Sequence, residues 1–404
     1  MIFKIKLHWQ ILIALIIAVV FGYFVPGWVP YISWMGVVFL RALNMVVVPL
    51  ILSSIISGVS SIGGGSNLGR LGFKTITFYI LTSFVAILTG LFFVNLFRPG
   101  TGANLGNAAT VSTPDVSNSA SDILIRVIPE NVFDAMARGQ ILPVIFFAIL
   151  FGFFITQIQT EKQQLLTRFF DAFFEVMMKI TTFVIQFTPL GVFAIVAKEV
   201  AKNADSLGNI AGSLGIYMLT VLIALIFHGC IVLPLLVKFL GNANPYKHFR
   251  NMATPLLTAF SNSSSNAALP LSMVAVEEKD GVSGKITSFT LPLGATINMN
   301  GTALYECVAV IFIAQAYGID LTFGQQAIVV LTALLAAIGS AGIPMAGLVM
   351  MSIVLTAVNL PLEGIGLILA VDRILDMSRT TVNVWGDTCA AVIIAKSEGE
   401  TLSV

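Results

Sequence analysis

Long stretches without a charged residue alternate with short charged links along this chain. The charge-free runs are Leu7–Leu40, Ala42–Gly69, Thr75–Phe97, Gly139–Thr160, Ile180–Ala197, Ser206–Val237, Asn251–Val276 and Leu321–Leu362. A helix that crosses a bilayer needs about 20 apolar residues. Most runs therefore predict one span, and the longest have room for two limbs. The first run follows Lys4 and Lys6 as a signal peptide would. It lacks a small-x-small cleavage site and further spans follow, so it reads as a first membrane helix. Pro49, Pro143 and Pro189 fall inside predicted spans, where proline is tolerated and can kink the helix. Residues 99–122, rich in Gly, Ala, Asn, Ser and Thr, predict a flexible loop on the outer side.

Composition agrees with this pattern. Of the 404 residues, 57% are hydrophobic and 10% charged, against roughly 25% charged in a soluble domain. The apolar excess has to face lipid. A net charge of +1 gives no argument for nucleic acid. Cys230, Cys307 and Cys389 are far apart in apolar segments and read as small buried hydrophobes, with no metal or disulfide spacing. His8, His228 and His248 are scattered, without the His-Glu-x-x-His of a zinc protease. Basic residues orient the spans: Lys4 and Lys6, Arg70 and Lys74, Lys162 and Arg168, Lys238, Lys247 and Arg250, and Lys396 fall at alternate ends, while Val25–Tyr31 is uncharged. Positive residues stay inside, so both termini are expected in the cytoplasm.

From Asn251 onward the apolar runs are broken by clusters that lipid would not tolerate. Ser261-Asn262-Ser263-Ser264-Ser265-Asn266 precedes a polar segment, Gly294–Thr302, that carries Asn-Met-Asn-Gly-Thr. Gly339-Ser340-Ala341-Gly342-Ile343-Pro344 precedes a second, Asp372–Asp387, that carries Asp-Met-Ser-Arg-Thr. A break followed by a polar helix is thus used twice. Interrupted hydrophobic segments in corresponding positions of two halves point to a transporter's binding site. Each break reads as the tip of a re-entrant hairpin, because irregular backbone at membrane depth survives only inside protein or beside a water-filled cavity.

The last polar segment has a helical stripe. Asp372, Asp376, Arg379, Asn383 and Asp387 are spaced 4, 3, 4 and 4 residues apart. At about 100° per residue they share a sector of about 80°, with Thr380 at its edge. A charge at the middle of a membrane helix costs at least ~2.5–3.5 kcal/mol, so such a stripe implies a role. A salt-bridge network between helices is the plainer reading, but Asn383 and Asp387 continue past any pair that Arg379 completes. Arg379 offers a planar fork matched to a carboxylate. Asp376 suits a primary ammonium. Asp387 and Asn383 are hard oxygen ligands, suited to an alkali cation. The alternation of Thr296, Asn298, Asn300 and Thr302 between Gly294 and Gly301 predicts an unwound stretch able to hold Na⁺. Capping of a helix by Asn is the alternative. Glu306 is a lone carboxylate one turn beyond Thr302, and a candidate proton carrier.

These motifs resemble the glutamate transporter family, which includes prokaryotic glutamate/aspartate symporters and animal excitatory amino acid transporters. The resemblance runs the whole length and is most specific in Ser263–Pro270, Leu291–Glu306, Ala336–Gly347 and Asp372–Asp387. It implies an all-α polytopic membrane protein with eight transmembrane helices, two re-entrant hairpins and inverted repeats. It further implies a homotrimer in the inner membrane that works as an elevator. Residues 1–70 would be scaffold helices, 71–98 a helix of the moving transport domain, 123–205 scaffold again, and 206–404 the rest of the transport domain. By the same resemblance Arg379 holds the side-chain carboxylate of glutamate or aspartate beside Thr302 and Gly347, and Asp376 holds the amino group. Thr380, Asn383 and the backbone near Ser265 hold the α-carboxylate. Three sodium sets follow: Asp387, Asn383, Gly294 and Asn298; then Thr296, Ala337, Ile338 and Ser340; then Tyr79, Thr82 and Ser83 with Asn298.

The sequence departs from that pattern at Asn300, where members usually carry Asp, so the third set has lost a formal charge. Glu306 stands where archaeal members have Gln, as in the proton-coupled animal transporters. No organic cofactor is implied; Na⁺ is the expected coupling ion, with H⁺ beside it. A neutral amino acid exchanger would have replaced Arg379, and a C4-dicarboxylate carrier has no ammonium for Asp376. An intramembrane aspartyl protease would need facing carboxylates and a Gly-x-Gly-Asp motif. A passive channel of the same fold is separable by uptake against a gradient.

Overall fold

The computed structural model describes residues 7–60, 66–103, 128–202, 207–338 and 346–404. Among these there are helices and turns and no strand. Most of the expected outer loop 99–122 and the tip around Ser340 lie outside the described residues. Helix α1 (Leu7–Phe24) meets α2 (Val29–Ser60) through a 3-10 turn at Pro26–Trp28, with a bend of 106°. Pro26 opens that turn because it lacks the N–H that would continue α1. Pro49 leaves α2 continuous, Pro143 lies in the first turn of α5 (Ile141–Ile155), and Pro189 marks a bend of 50° between α6 (Thr160–Gln186) and α7 (Thr188–Lys202). Helix α3 spans Ser66–Phe97, and the single-turn α4 (Val132–Ala137) precedes α5.

One expected span needs correction. The run Ile180–Ala197 is not a single helix, because α6 begins at Thr160 and carries Glu161, Lys162, Arg168, Asp171, Glu175 and Lys179 ahead of the run. Its apolar side buries Met177, Thr181, Val184 and Ile185 while Glu175 and Lys179 stay exposed. Amphipathic spacing sustains a helix that a charge-free window cannot detect.

Downstream lie α8 (Leu207–Phe227), a π-helical turn at His228–Val232, and α9 (Leu233–Phe239). Then come α10 (Pro245–Asn251), α11 (Ala253–Asn262), α12 (Ser265–Ala275), α13 (Gly284–Ile297) and α14 (Asn300–Ala316). Helices α15 (Phe323–Ile338), α16 (Ala346–Ala357) and α17 (Ile365–Ser397) complete the chain. Three stretches among the described residues are long and apolar enough to cross a membrane: Arg70–Phe97, Ile210–Phe239 and Gly284–Ala316. The two bent pairs raise that number to as many as five.

Packing falls into two groups, which meet where α16 lies on α2 and α17 on α7. Helix α1 lies on α7, and α2 lies on α5, α6 and α7. Helices α3 and α8 lie on α14 and α17, and α17 is also flanked by α11, α12 and α13. Every residue of α14 from Asn300 to Ala314 is buried. The far end of α17 is clamped to α3 by Glu398, which accepts from Arg70 at 2.5 Å and Lys74 at 2.6 Å. Hydrogen bonding from Lys74, with Arg70 beside it, holds the Glu398 carboxyl below its ordinary range. The back of α17 is braced by Trp385, whose Nε1 donates to the Gly229 carbonyl at 2.9 Å in the π-turn and whose ring stacks on His248.

The unwound stretch is shorter than the sequence predicts. Only Asn298 (φ −90°, ψ 72°) and Met299 (φ −99°, ψ 49°) leave helical geometry. Thr296 stays in α13, and Asn300 and Thr302 belong to α14. The flanking glycines serve close approach instead. A Cβ on Gly301 would stand 2.5 Å from the Arg379 carbonyl oxygen, and one on Gly294 would stand 2.5 Å from Asp387 Oδ1.

The α1–α7 contact depends on another close approach. A methyl on Gly22 would stand 2.6 Å from the Ala197 carbonyl oxygen and 3.0 Å from Val200 Cβ. Overpacking of this kind costs about 1–3 kcal/mol. Gly22→Ala should lower the thermal unfolding midpoint in detergent, which differential scanning fluorimetry would read. An unchanged midpoint would show that the two helices can move apart freely.

Candidate functional site

The stripe on α17 is buried as a unit. Asp372, Asp376, Arg379, Thr380, Asn383 and Asp387 are each at most 6% exposed. They face α14, the α13–α14 break and the start of α16.

Arg379 is at the centre. Its Nε and Nη2 donate to Asp376 Oδ1 at 3.1 and 2.8 Å, and its Nη1 donates to Asp372 Oδ1 at 3.2 Å. Asp372 also accepts from the Tyr305 hydroxyl at 2.7 Å, and the guanidinium lies 4.2 Å from the centre of the Tyr305 ring. Gly347 at the start of α16 backs onto the guanidinium, where a Cβ would stand 2.8 Å from Cζ. Charge, aromatic face and bare backbone therefore surround one planar fork. Removing one partner from such a buried set leaves an uncompensated charge, which is the costly outcome.

One turn further along, Asn383 faces the start of α14. Its Oδ1 accepts from Gly301 N at 2.7 Å and Thr302 N at 3.3 Å, and its Nδ2 donates to Thr302 Oγ1 at 3.0 Å. The first amides of a helix have no intrahelical acceptor. Asn383 supplies one from another helix, so α14 is capped across the α14–α17 contact.

The next turn carries Asp387. Its Oδ1 accepts from Asn298 Nδ2 at 2.8 Å, and Gly294 brings the α13 backbone against the same carboxylate. The Tyr79 hydroxyl reaches the same place from α3: it donates to Thr290 O at 2.9 Å, and a Cβ on Gly294 would stand 2.7 Å from it. Asn298 Oδ1 is buried with no hydrogen-bond partner. A carboxylate, an unpartnered amide oxygen and local backbone form an oxygen-rich donor set with the chemistry of a hard cation site. Thr82 and Ser83 are buried on α3, but Thr82 Oγ1 donates to the Phe78 carbonyl of its own helix. Asn300 is buried, accepts from its neighbour Gly301 N through Oδ1 at 2.9 Å and, as a neutral amide, brings no charge to this place.

The other expected residues are placed less tightly. Thr296 Oγ1 donates to Leu293 O within α13. Ala337 and Ile338 end α15, which touches α13, and Ser340 lies outside the described residues. Ser265 is buried as the first residue of α12. Glu306 is fully buried in α14, and neither carboxylate oxygen has a hydrogen-bond partner.

The comparisons with known proteins cover nearly the whole chain. Residues 7–397 match the model of the sodium:dicarboxylate symporter family. The chain belongs to this family. A proton/sodium-glutamate symport protein of Geobacillus stearothermophilus is 36% identical over 98% of this chain and 96% of its own length. A proton/glutamate-aspartate symporter of Escherichia coli is 35% identical over 98% and 93%. The human excitatory amino acid transporter 3 is 36% identical over 91% and 79%.

Two members of the site in this symporter-family protein were not singled out from the sequence. Tyr305 follows Thr302 by three residues, so the two share a face of α14; that spacing was the available signal. Gly386 lets α14 come close to α17, with a Cβ position 2.5 Å from Asn300 Nδ2, and no sequence period marks such a contact.

The arrangement orders the expected costs of substitution. Tyr305→Phe removes one hydrogen bond to a charged group, worth about 1.5–3 kcal/mol. Arg379→Leu leaves two carboxylates without their partner, which costs about 3–5 kcal/mol. Thermal unfolding of the purified protein should show the larger loss for Arg379→Leu. The reverse order would mean that Arg379 is not the counter-charge of the stripe.

Proposed function

We propose that the protein is a secondary active symporter that takes up glutamate or aspartate together with cations, Na⁺ and H⁺ in particular. The observation that carries this reading is the buried Arg379 held between Asp372 and Asp376. It is a fixed fork for an acidic side chain with an acceptor for an ammonium group beside it. The printed names of the bacterial relatives, glutamate and glutamate-aspartate symporters, point the same way.

In this reading the substrate's side-chain carboxylate displaces Asp376 from Arg379, next to Thr302 and Gly347. Asp376 then holds the amino group. Thr380, Asn383 and the backbone near Ser265 hold the α-carboxylate. Asp387, Asn298, Asn383 and Gly294 bind one Na⁺. Thr296 with Ala337, Ile338 and Ser340 binds a second. Tyr79, Thr82 and Ser83 with Asn298 form a third set that lacks a carboxylate. Glu306 carries a proton, because moving an ionised carboxylate through a low-dielectric barrier is costly.

The working assembly is a homotrimer in a prokaryotic inner membrane, with eight spans, two re-entrant hairpins and both termini in the cytoplasm. Residues 1–70 and 123–205 form the scaffold, and 71–98 with 206–404 form a transport domain that moves as an elevator. The two packing groups support that division, since α1, α2, α5, α6 and α7 pack on one another and the remaining long helices pack around α14 and α17.

Uptake of labelled aspartate and glutamate into proteoliposomes, with Na⁺, H⁺ and K⁺ gradients imposed one at a time, tests the reading. Accumulation driven by Na⁺ is expected, and equilibration without accumulation would make the protein a channel. Arg379→Thr should abolish acidic amino acid uptake and admit serine or alanine; unchanged aspartate affinity would remove Arg379 from the substrate site. Asp387→Asn should weaken Na⁺ and substrate binding together, because linked ligands affect each other equally. Glu306→Gln should keep Na⁺-dependent exchange and lose pH-driven net uptake; a variant that still follows a pH gradient would leave Glu306 as a buried neutral acid.

A further inference from the structure

Arg373 is a charged group at the site's rim with no part in the scheme above. It lies on α17 beside the stripe, and its side chain is 33% exposed, against 4% for Asp376 and 2% for Arg379. Its Nη1 donates to Ser263 Oγ at 2.9 Å and lies 3.8 Å from Asp376 Oδ2. Asp376 therefore has one oxygen turned to Arg379 and the other turned to Arg373.

Ser263 is the residue on which α11 turns into α12. It is buried and left-handed, with φ 51° and ψ 41°. A residue with a side chain pays a steric cost in that region, and such conformations persist only where the surroundings hold them. Its own N–H donates to Ala259 O at 2.8 Å, closing α11, and its neighbours add further contacts. Ser264 caps α12 by accepting from Ala267 N at 3.3 Å, and Arg373 donates a charge-assisted hydrogen bond to the Ser263 hydroxyl. The α11–α12 tip is thus tied by its own strained residue to a side chain that also leans on Asp376.

We infer that Arg373 is a positioning residue that ties the α11–α12 tip to Asp376, so that occupancy of Asp376 by a substrate ammonium and closure of the tip are one linked equilibrium. The inference rests on the substrate role proposed for Asp376. An ammonium on Asp376 Oδ2 competes with the 3.8 Å contact to Arg373. The freed guanidinium then serves Ser263 alone, and the tip closes more firmly. Linkage makes this reciprocal: whatever loosens the Arg373–Ser263 bond weakens substrate binding by the same factor.

The test uses the full-length protein in proteoliposomes. A cysteine at the exposed Asn262, in a Cys230→Ser background, reports tip exposure through its alkylation rate; Cys307 and Cys389 are buried. Arg373→Met keeps the length and removes the donors, Ser263→Ala removes the acceptor, and Arg373→Lys keeps the charge. Without substrate, Arg373→Met and Ser263→Ala should each raise alkylation several-fold. Saturating aspartate should protect the cysteine in the parent and protect it less in Arg373→Met. Aspartate affinity should fall about tenfold in Arg373→Met, be largely restored in Arg373→Lys, and fall no further in the Arg373→Met/Ser263→Ala double variant. Alkylation in both single variants equal to the parent, or additive losses in the double variant, overturns the inference. Should the parent bind neither aspartate nor glutamate, the proposed function fails. The alkylation rates without substrate still decide whether Arg373 holds the tip.

Discussion

The structure depends on one constraint, which is that the guanidinium of Arg379 has to be neutralised inside a helix bundle. Water would do this at the surface, but here the compensation comes from Asp372, Asp376 and the face of Tyr305. Those groups lie on two helices, so the charge network also fixes how α17 stands against α14. A partly satisfied network would cost more than an apolar core. That penalty gives α17 one rotational setting. The same setting delivers Asn383 to the start of α14 and Asp387 to the α13 backbone.

Small residues make that delivery possible. Gly301 and Gly386 let α14 and α17 approach until backbone meets side chain, and Gly294 lets the end of α13 lean on Asp387. The break between α13 and α14 is held to two residues because the first amides of α14 find an acceptor in Asn383. On its other side α17 is anchored by Trp385, which donates to the Gly229 carbonyl in the π-helical turn. The helix that carries the polar stripe is therefore gripped front and back, while the tip of α11–α12 is attached through a rim contact with Arg373.

Membrane character, the polar stripe and the break within Ser261–Asn266 could all be read from the sequence, because each is a local or periodic property. Absence of charge over a bilayer's width, recurrence at three and four residues, and clusters of Ser, Asn and Gly in apolar runs need no partner to be recognised. The same logic misread Ile180–Ala197, where an amphipathic helix carries charges on its exposed face, begins ahead of the window at Thr160 and ends inside it at Gln186. It also stretched the unwound segment over Thr296–Thr302, since alternation of side chains does not say which backbone groups find acceptors elsewhere.

What the sequence by itself determined was which residues would be polar, on which face of which helix, and with what charge. Only the tertiary structure decided their partners: Tyr305 under Arg379, Asn383 on the amides of Gly301 and Thr302, Asn298 on Asp387, and Arg373 on Ser263. These pairs join residues from 74 to 110 positions apart in the chain. The reason is physical. A period along one helix specifies a direction in space, whereas a hydrogen bond also requires the distance and rotation of a second helix, and those are set by how closely the backbones can pack.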